Sequence, residues 1–147
     1  MKILSLLLFS LLISKSGCEH SNQDLKTAVI EYVAHSRGFY QKTTINNQEV
    51  WVSNDRSGNE KRNKIKISDT DWKALVKLFE KVDLEQLKTL KSPTQKRFYD
   101  GAAIANLNIT YKEKIYESAS FDHGFPPEQI KEIVEKINSF AKQNNDN

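Results

Sequence analysis

The sequence predicts an α+β fold, in which a mainly antiparallel sheet of about five or six strands carries two amphipathic helices packed on one face. Apolar and polar residues alternate with period two through residues 103–111, as in a half-buried strand. Apolar stripes at helical spacing begin at Trp72 and Ile130. Two such helices need a shared apolar surface, and the sheet provides it. A chain of 147 residues fits one domain of this kind.

Strand and helix signals follow one another through the first half of the chain. Residues 26–34 are rich in Val, Ile and Tyr and predict a strand. Residues 64–68 alternate lysine with isoleucine and predict a short strand near a sheet edge, where lysine discourages unwanted pairing. Ser68 or Asp69 then caps a helix whose apolar stripe begins at Trp72.

Residues 39–53 predict the clearest hairpin in the sequence. Two asparagines at positions 46–47 separate two β-rich runs, and asparagine tolerates the left-handed conformation that a tight turn needs. A two-residue loop there pairs Ile45 with Gln48 and sets Trp51 opposite a lysine. The hairpin then has one apolar face toward the core and one more polar face.

A second hairpin is predicted around residues 112–114. A three-residue loop at that point pairs Tyr111 with Ile115 and Ala105 with Phe121, which keeps apolar residues together. A two-residue loop would instead place a lysine opposite Tyr111. We therefore expect the three-residue loop.

The last helix is predicted to begin at Pro126, because proline is well tolerated in a first helical turn, and its apolar stripe runs on from Ile130. Together these elements predict one α+β domain over residues 26–142. A polar tether over residues 18–25 precedes it, and a flexible tail over residues 143–147 follows it.

Residues 1–17 have the pattern of an export signal. Lys2 provides the positive start, and residues 3–13 form an apolar run that is too short to span a bilayer by itself. Cys18 follows directly and is the only cysteine in the sequence. An intramolecular disulfide and a cysteine-based zinc cluster are therefore excluded.

The residues Ser16, Gly17 and Cys18 resemble the lipobox of bacterial lipoproteins. Lys15 stands where that pattern usually has an apolar residue, as in the looser lipoboxes of Bacteroidota. The resemblance implies cleavage before Cys18 and acylation of that residue. The protein would then be exported and lipid-anchored to a bacterial membrane, on a periplasmic or surface-facing side. Without acylation, the same signal describes a secreted protein.

The chain as a whole resembles small secreted or lipoprotein domains of Bacteroidota. Besides the lipobox, the resemblance rests on the helix start at residues 68–72, on residues 97–102 before the paired strands, and on the proline-led last helix. It implies an envelope location and no particular activity.

Charge gives little support for nucleic-acid binding. The whole sequence carries 22 basic and 19 acidic residues, a net charge of +3. Removal of the signal takes away Lys2 and Lys15, so the remainder is close to neutral. Nucleic-acid binding requires a concentrated positive surface.

Few residues point to catalysis. The three histidines, His20, His35 and His123, lack metal-ligand spacing, and no phosphate loop or nucleophile elbow is present. We therefore expect no cofactor and no metal. The alternative is a hydrolase-like or metal-dependent enzyme, in which Asp100, Asp122 and His123 would have to converge.

The leading functional hypothesis is a non-enzymatic binding or interaction module whose partner is a protein or another envelope ligand. Aromatic residues next to arginine are typical of binding hot spots. The candidate surface comprises Tyr40, Trp51, Arg97, Phe98 and Tyr99. These side chains could instead complete the core or cover the sheet. A ligand carrier is a third hypothesis, and it would need an apolar cavity between the sheet and the helices.

Overall fold

The computed structural model describes residues 24–145, with side chains up to residue 143. The predicted signal at residues 1–17, the candidate lipid attachment at Cys18 and His20 lie outside the described residues. So do most of the predicted tether and the last two residues of the predicted tail.

An antiparallel sheet forms the centre of the fold, which confirms the predicted α+β class. The strands are β1 (Val29–His35), β2 (Tyr40–Asn46), β3 (Glu49–Ser53), β4 (Ile65–Lys66), β5 (Ile104–Tyr111), β6 (Lys114–Glu117) and β7 (Phe121–Asp122). Six of them follow the order β4-β3-β2-β1-β5-β6, and β7 also pairs with β5. The described residues thus contain slightly more strands than the sequence predicted.

The described residues also contain two α-helices, α1 (Asp69–Glu80) and α2 (Lys131–Asn145). The start of α1 is the predicted one, since Ser68 Oγ accepts a hydrogen bond from the backbone N–H of Asp71. Four short 3₁₀ segments connect the larger elements. They are Leu25–Thr27, Leu84–Thr89, Lys96–Tyr99 and Glu128–Ile130.

The core lies between one face of the sheet and the two helices. Burial alternates along β5, and the same face of β1 is fully buried. The apolar stripes of α1 and α2 join this face in a single cluster. Its largest members include Tyr32, Leu75, Phe79, Leu107, Ile109 and Ile133. The other face of the sheet carries partly exposed residues, and we call it the open face.

The first hairpin turns one residue later than predicted. Its loop residues are Asn47 and Gln48, both with positive φ, so Ile45 pairs with Val50 and Trp51 lies opposite a threonine rather than a lysine. The predicted register was therefore wrong by two residues. Gln48 accepts the left-handed conformation because its side-chain amide donates to Ile67 O and to an aspartate of α1. A shift of two preserves the faces, so the buried side was predicted correctly for Ile45 and Val50.

The second hairpin has a two-residue loop, and the predicted three-residue loop was wrong. Lys112 and Glu113 both have positive φ, and Tyr111 pairs with Lys114. Lys114 reaches across to Glu85 at 2.6 Å, which compensates for its position opposite an aromatic residue.

The predicted pairing of Ala105 with Phe121 is nevertheless correct. The two registers along β5 differ by one residue, and the segment between β6 and β7 absorbs the difference. Buried Ser118 makes this possible, because its hydroxyl accepts the hydrogen bond of Leu107 N–H at 2.9 Å. The new register also leaves Ile115 largely exposed on the open face.

Candidate functional site

The predicted site residues lie at separate places in the fold. Tyr40 and Trp51 are on the open face of β2 and β3, whereas Arg97, Phe98 and Tyr99 belong to the 3₁₀ segment before β5.

The sheet register measures the separation between these two places. Tyr40 pairs with His35, His35 with Ile104, and Ile104 with Asp122, which holds the 3₁₀ segment. Three strand spacings of about 4.8 Å therefore separate Tyr40 from Asp122, or roughly 14 Å. The five residues of the predicted candidate surface therefore belong to two separate surfaces of the protein.

Asp122 is the anchor of the loop that carries Phe98 and Tyr99. Its side chain is fully buried and accepts four hydrogen bonds. The donors are the hydroxyl of Thr94 at 2.5 Å, the backbone N–H of Lys96 at 2.6 Å, and the backbone N–H and guanidinium of Arg97 at 3.1 and 2.9 Å. This one side chain thus fixes a segment 25 residues away along the chain.

Hydrogen bonds keep the carboxylate of Asp122 ionised. Burial raises the pKa of Asp122, but the hydrogen bonds from Thr94, Arg97 and Lys96 outweigh burial and bring the pKa from 3.8 to about 2. Arg97 was predicted as an exposed binding residue, and its side chain is only 12% exposed because it pairs with Asp122. Arg97 therefore supports the exposed residues beside it.

Four large aromatic side chains are exposed at this end of the sheet. Phe98 and Tyr99 are each 72% exposed, and Phe125 and Phe39 about 40%. We call these four residues, together with Lys96, the aromatic end. Phe39 and Phe125 were not among the surface residues predicted from the sequence.

Two of these rings have close neighbours. The ring of Phe39 lies 5.5 Å from the imidazole of His123, and Lys96 Nζ lies 4.0 Å from the centroid of Phe125. The loop closes tightly beneath Tyr99, since Gly101 N–H donates to Lys96 O at 2.8 Å. A Cβ on Gly101 would lie only 3.0 Å from the Tyr99 ring. The exposed rings therefore sit on an ordered backbone.

The aromatic end is far from the point where the described chain begins. Asp24 N–H donates to the hydroxyl of Tyr111, at the opposite end of β5 from Ile104 and Asp122. Seven residue steps of about 3.4 Å separate the two ends of this strand, or roughly 24 Å. The fifth exposed large hydrophobic residue of the described chain, Ile115, pairs near the Tyr111 end.

His123 belongs to a different set of contacts from Asp122. Its Nδ1 lies 2.8 Å from the hydroxyl of buried Tyr32, and Asn138 also bonds to that hydroxyl. The side-chain amide of Gln41 lies 3.4 Å from Asn138 Oδ1. These groups form one chain of hydrogen bonds from Gln41 through Asn138 and Tyr32 to His123. Gln41, Asn138 and His123 of this chain line a surface groove of about 450 Å³.

Both members of the Tyr32–His123 pair are neutral at pH 7. Burial raises the pKa of Tyr32 to about 12, although the hydrogen bond from Asn138 opposes this change. Burial lowers the pKa of His123. Asp100, the third member of the predicted polar site, is exposed and ends the 3₁₀ segment in a left-handed conformation, φ 59°. Hydrogen bonds thus engage Asp122 and His123 with different partners.

The open face has its own aromatic site at Trp51. Arg62 and Lys64 approach the Trp51 ring at 5.8 and 5.2 Å, and Arg56 lies 5.7 Å from the Tyr40 ring. The loop over residues 54–64 supplies these cations and covers part of β2 and β3. The alternation of arginine and lysine with polar residues there was the signal that could have connected it with Trp51.

Residues 24–145 contain no group of three or more His, Cys, Asp or Glu side chains placed to hold a metal ion. Neither helix in this part of the chain has the length and apolar character needed to cross a membrane. No protein-family model matches the sequence, and a search of curated proteins finds no significant match.

Proposed function

We propose that this protein is a non-enzymatic, membrane-tethered envelope protein that binds a protein partner through its aromatic end. The observation that carries the proposal is the set of exposed aromatic residues at one end of the sheet, of which the two most exposed, Phe98 and Tyr99, lie on the segment anchored by Asp122. Monomeric proteins rarely expose large contiguous apolar patches without a use for them. Aromatic residues are also the side chains that dominate binding energy at protein interfaces.

The area at the aromatic end is large enough to matter for affinity. Phe98 and Tyr99 are 72% exposed, and at roughly 200 Å² for each residue they offer about 290 Å² together. At about 25 cal/mol per Å², complete burial would contribute up to about 7 kcal/mol before the costs of association. Anchoring by Asp122 reduces those costs, because the loop is already ordered before a partner binds.

The proposed tether gives the aromatic end a direction. If Cys18 carries the lipid, six residue steps connect it to Asp24 and span at most about 20 Å. The Asp24 end of the sheet would then face the membrane. The aromatic end, roughly 24 Å further out along β5, would face away from it. This orientation favours a protein partner over the anchoring bilayer as the target.

The alternative enzyme has less support. An acid–base or metal-dependent site would need free oxygen and nitrogen atoms that converge on a substrate. Asp122 already accepts four hydrogen bonds, and His123 Nδ1 already bonds to Tyr32.

Capture from envelope extract tests the proposal. The bait is the domain with its aromatic end intact, and the test variant is Phe98→Ala with Tyr99→Ala. Ile115→Ala is the matched control, because Ile115 is 71% exposed at the other end of β5. We expect the double variant to lose the captured partner and the control to retain it. Equal capture by all three, at matched urea midpoints, would contradict the proposal.

The tether is tested separately by intact mass. Protein made with its native signal and isolated from membranes should carry a lipid mass on a chain that begins at Cys18. Cys18→Ser should abolish that mass and release the protein from the membrane fraction. An unmodified chain in the soluble fraction would point to simple secretion.

A further inference from the structure

A cavity on the open face, separate from the aromatic end, lies between the first hairpin and the loop over residues 54–64. Its volume is about 180 Å³, and its walls include the rings of Tyr40 and Trp51 and the buried Thr44. The other lining residues are mostly polar or charged, so the two rings are the main apolar surface that a ligand would meet. The two rings can cover the apolar face of a bound ring compound.

The carboxylates that line this cavity are already engaged. Glu31 pairs with Lys42 at 2.6 Å. Asp55 accepts hydrogen bonds from Ser57 and Asn59, which lower its pKa, with Ser57 the larger cause.

The remaining carboxylate, Glu60, accepts hydrogen bonds from Ser53 Oγ and Asn54 N–H at 3.0 and 3.1 Å. These carboxylates therefore already have donors from the protein, and because the donors to Asp55 and Glu60 are neutral, their negative charge remains.

Two cations of the lining have no carboxylate partner. Within residues 24–145, no carboxylate lies in ion-pair range of Lys61 or Arg62, and Arg62 lies beside the Trp51 ring. The lining holds equal numbers of acidic and basic side chains, and the cationic donors left for a ligand are those of Lys61 and Arg62. A guanidinium next to an aromatic ring can bind a carboxylate while the ring covers the adjoining apolar surface.

We propose that this cavity binds an acidic saccharide, with one carboxylated sugar ring against Trp51 and Tyr40 and its carboxylate on Arg62 and Lys61. A sugar ring fits because it has an apolar face for the aromatic walls and hydroxyl groups for the polar ones. The cavity volume of about 180 Å³ suits one ring rather than an extended chain. The proposal goes beyond the aromatic end and does not depend on it.

The two tryptophans of the chain allow a direct test. Trp51 lines the cavity and Trp72 is buried in the core, so the indole N–H resonance of Trp72 is an internal control. We would titrate the ¹⁵N-labelled protein with glucuronate and with a short oligogalacturonate. Glucose, benzoate and inorganic phosphate serve as comparison probes at equal concentration and ionic strength.

We expect saturable shifts at Trp51, but not at Trp72, with the two acidic sugars. Arg62→Gln should weaken this binding at least about tenfold, as expected for loss of a charge-assisted contact. Arg37→Gln, which removes an exposed arginine outside the cavity, should leave the affinity unchanged. A folded Arg62→Gln protein with an unchanged Trp72 resonance excludes a general structural effect.

The remaining outcomes overturn the proposal. Equal binding of glucose would remove the role of the carboxylate, and equal binding of benzoate would identify an aromatic carboxylate site instead. A response to phosphate alone, or non-saturating shifts with every probe, would show that the cavity is not a saccharide site and that the loop only covers the sheet.

Discussion

Replacement of Asp122 by Asn tests the anchor of the aromatic end with little change in shape. Asn keeps one acceptor oxygen for Arg97, but its amide would face the N–H of Lys96, which has no other acceptor in the loop. The hydroxyl of Thr94 then loses its ionic acceptor, and the N–H of Lys96 is left unpaired. At roughly 1.5–3 kcal/mol for each charge-assisted bond, we expect a loss of about 3–5 kcal/mol in the free energy of unfolding.

Urea unfolding at pH 7, followed by circular dichroism, measures this loss. Asp100→Asn is the matched control, because Asp100 is exposed in the same loop and its replacement should change stability by less than about 0.5 kcal/mol. Arg97→Met completes a double-mutant cycle with Asp122→Asn. We expect a coupling energy of about 1–3 kcal/mol between the two positions.

The pH dependence gives an independent check on the same residue. The pKa of Asp122 is lowered in the folded protein from 3.8 to about 2. Its stabilising effect is therefore complete above about pH 4 and is lost as the pH falls toward 2. Asp122→Asn should show a shallower loss of stability in that window. A cost no larger than that of Asp100→Asn, with the acid dependence unchanged, would refute the anchoring role.

Three further predictions concern the rest of the fold. Because burial lowers the pKa of His123, the stability that its neutral form contributes should be fully present above pH 6.5 and should decrease as the pH falls below it. In urea unfolding at a series of pH values, His123→Gln should therefore flatten the dependence of the free energy of unfolding on pH between about pH 7 and 5.5. Lys112→Asn with Glu113→Gly should raise the free energy of unfolding by about 1–2 kcal/mol, because both positions have positive φ; an unchanged urea midpoint would contradict this. Gly101→Ala should lower the free energy of unfolding by about 1–3 kcal/mol, measured by thermal unfolding, since its Cβ would crowd the Tyr99 ring. An unchanged melting temperature would show that the loop rearranges to accept the methyl group.

The regular part of the fold could be predicted from the sequence because its signals are local. The buried side chains are indicated by period-two alternation along β5 and by the helical stripes of α1 and α2. The cap at Ser68 is equally local, since its partner is three residues away. These patterns establish an α+β class and one buried sheet face without any long-range information.

The hairpin registers were harder because distant contacts decide them. Gln48 adopts a left-handed conformation with its side chain bonded to Ile67 O, 19 residues away. Lys114 is acceptable opposite Tyr111 because it pairs with Glu85, 29 residues away. Turn preferences alone favour asparagine or a longer loop at such places.

The candidate sites show the same difference between local signals, which the sequence displays, and long-range contacts, which it does not. The sequence identified Phe98, Tyr99 and Trp51 as aromatic residues outside the clear core stripes. It could not show that Asp122 holds Arg97 in a buried pair, because that contact spans 25 residues. Phe39 and Phe125 join the aromatic end only through the sheet register, which brings their two loops together.

Site-specific photocrosslinking in intact cells tests the central claim most directly. A photoreactive aromatic residue would replace Tyr99 at the aromatic end or, in a parallel strain, Ile115 at the other end of β5. We predict a covalent adduct with one protein species from position 99 and none from position 115. Equal adducts from both positions, or crosslinks from position 99 to lipid alone, would contradict a partner-binding aromatic end that faces away from the membrane.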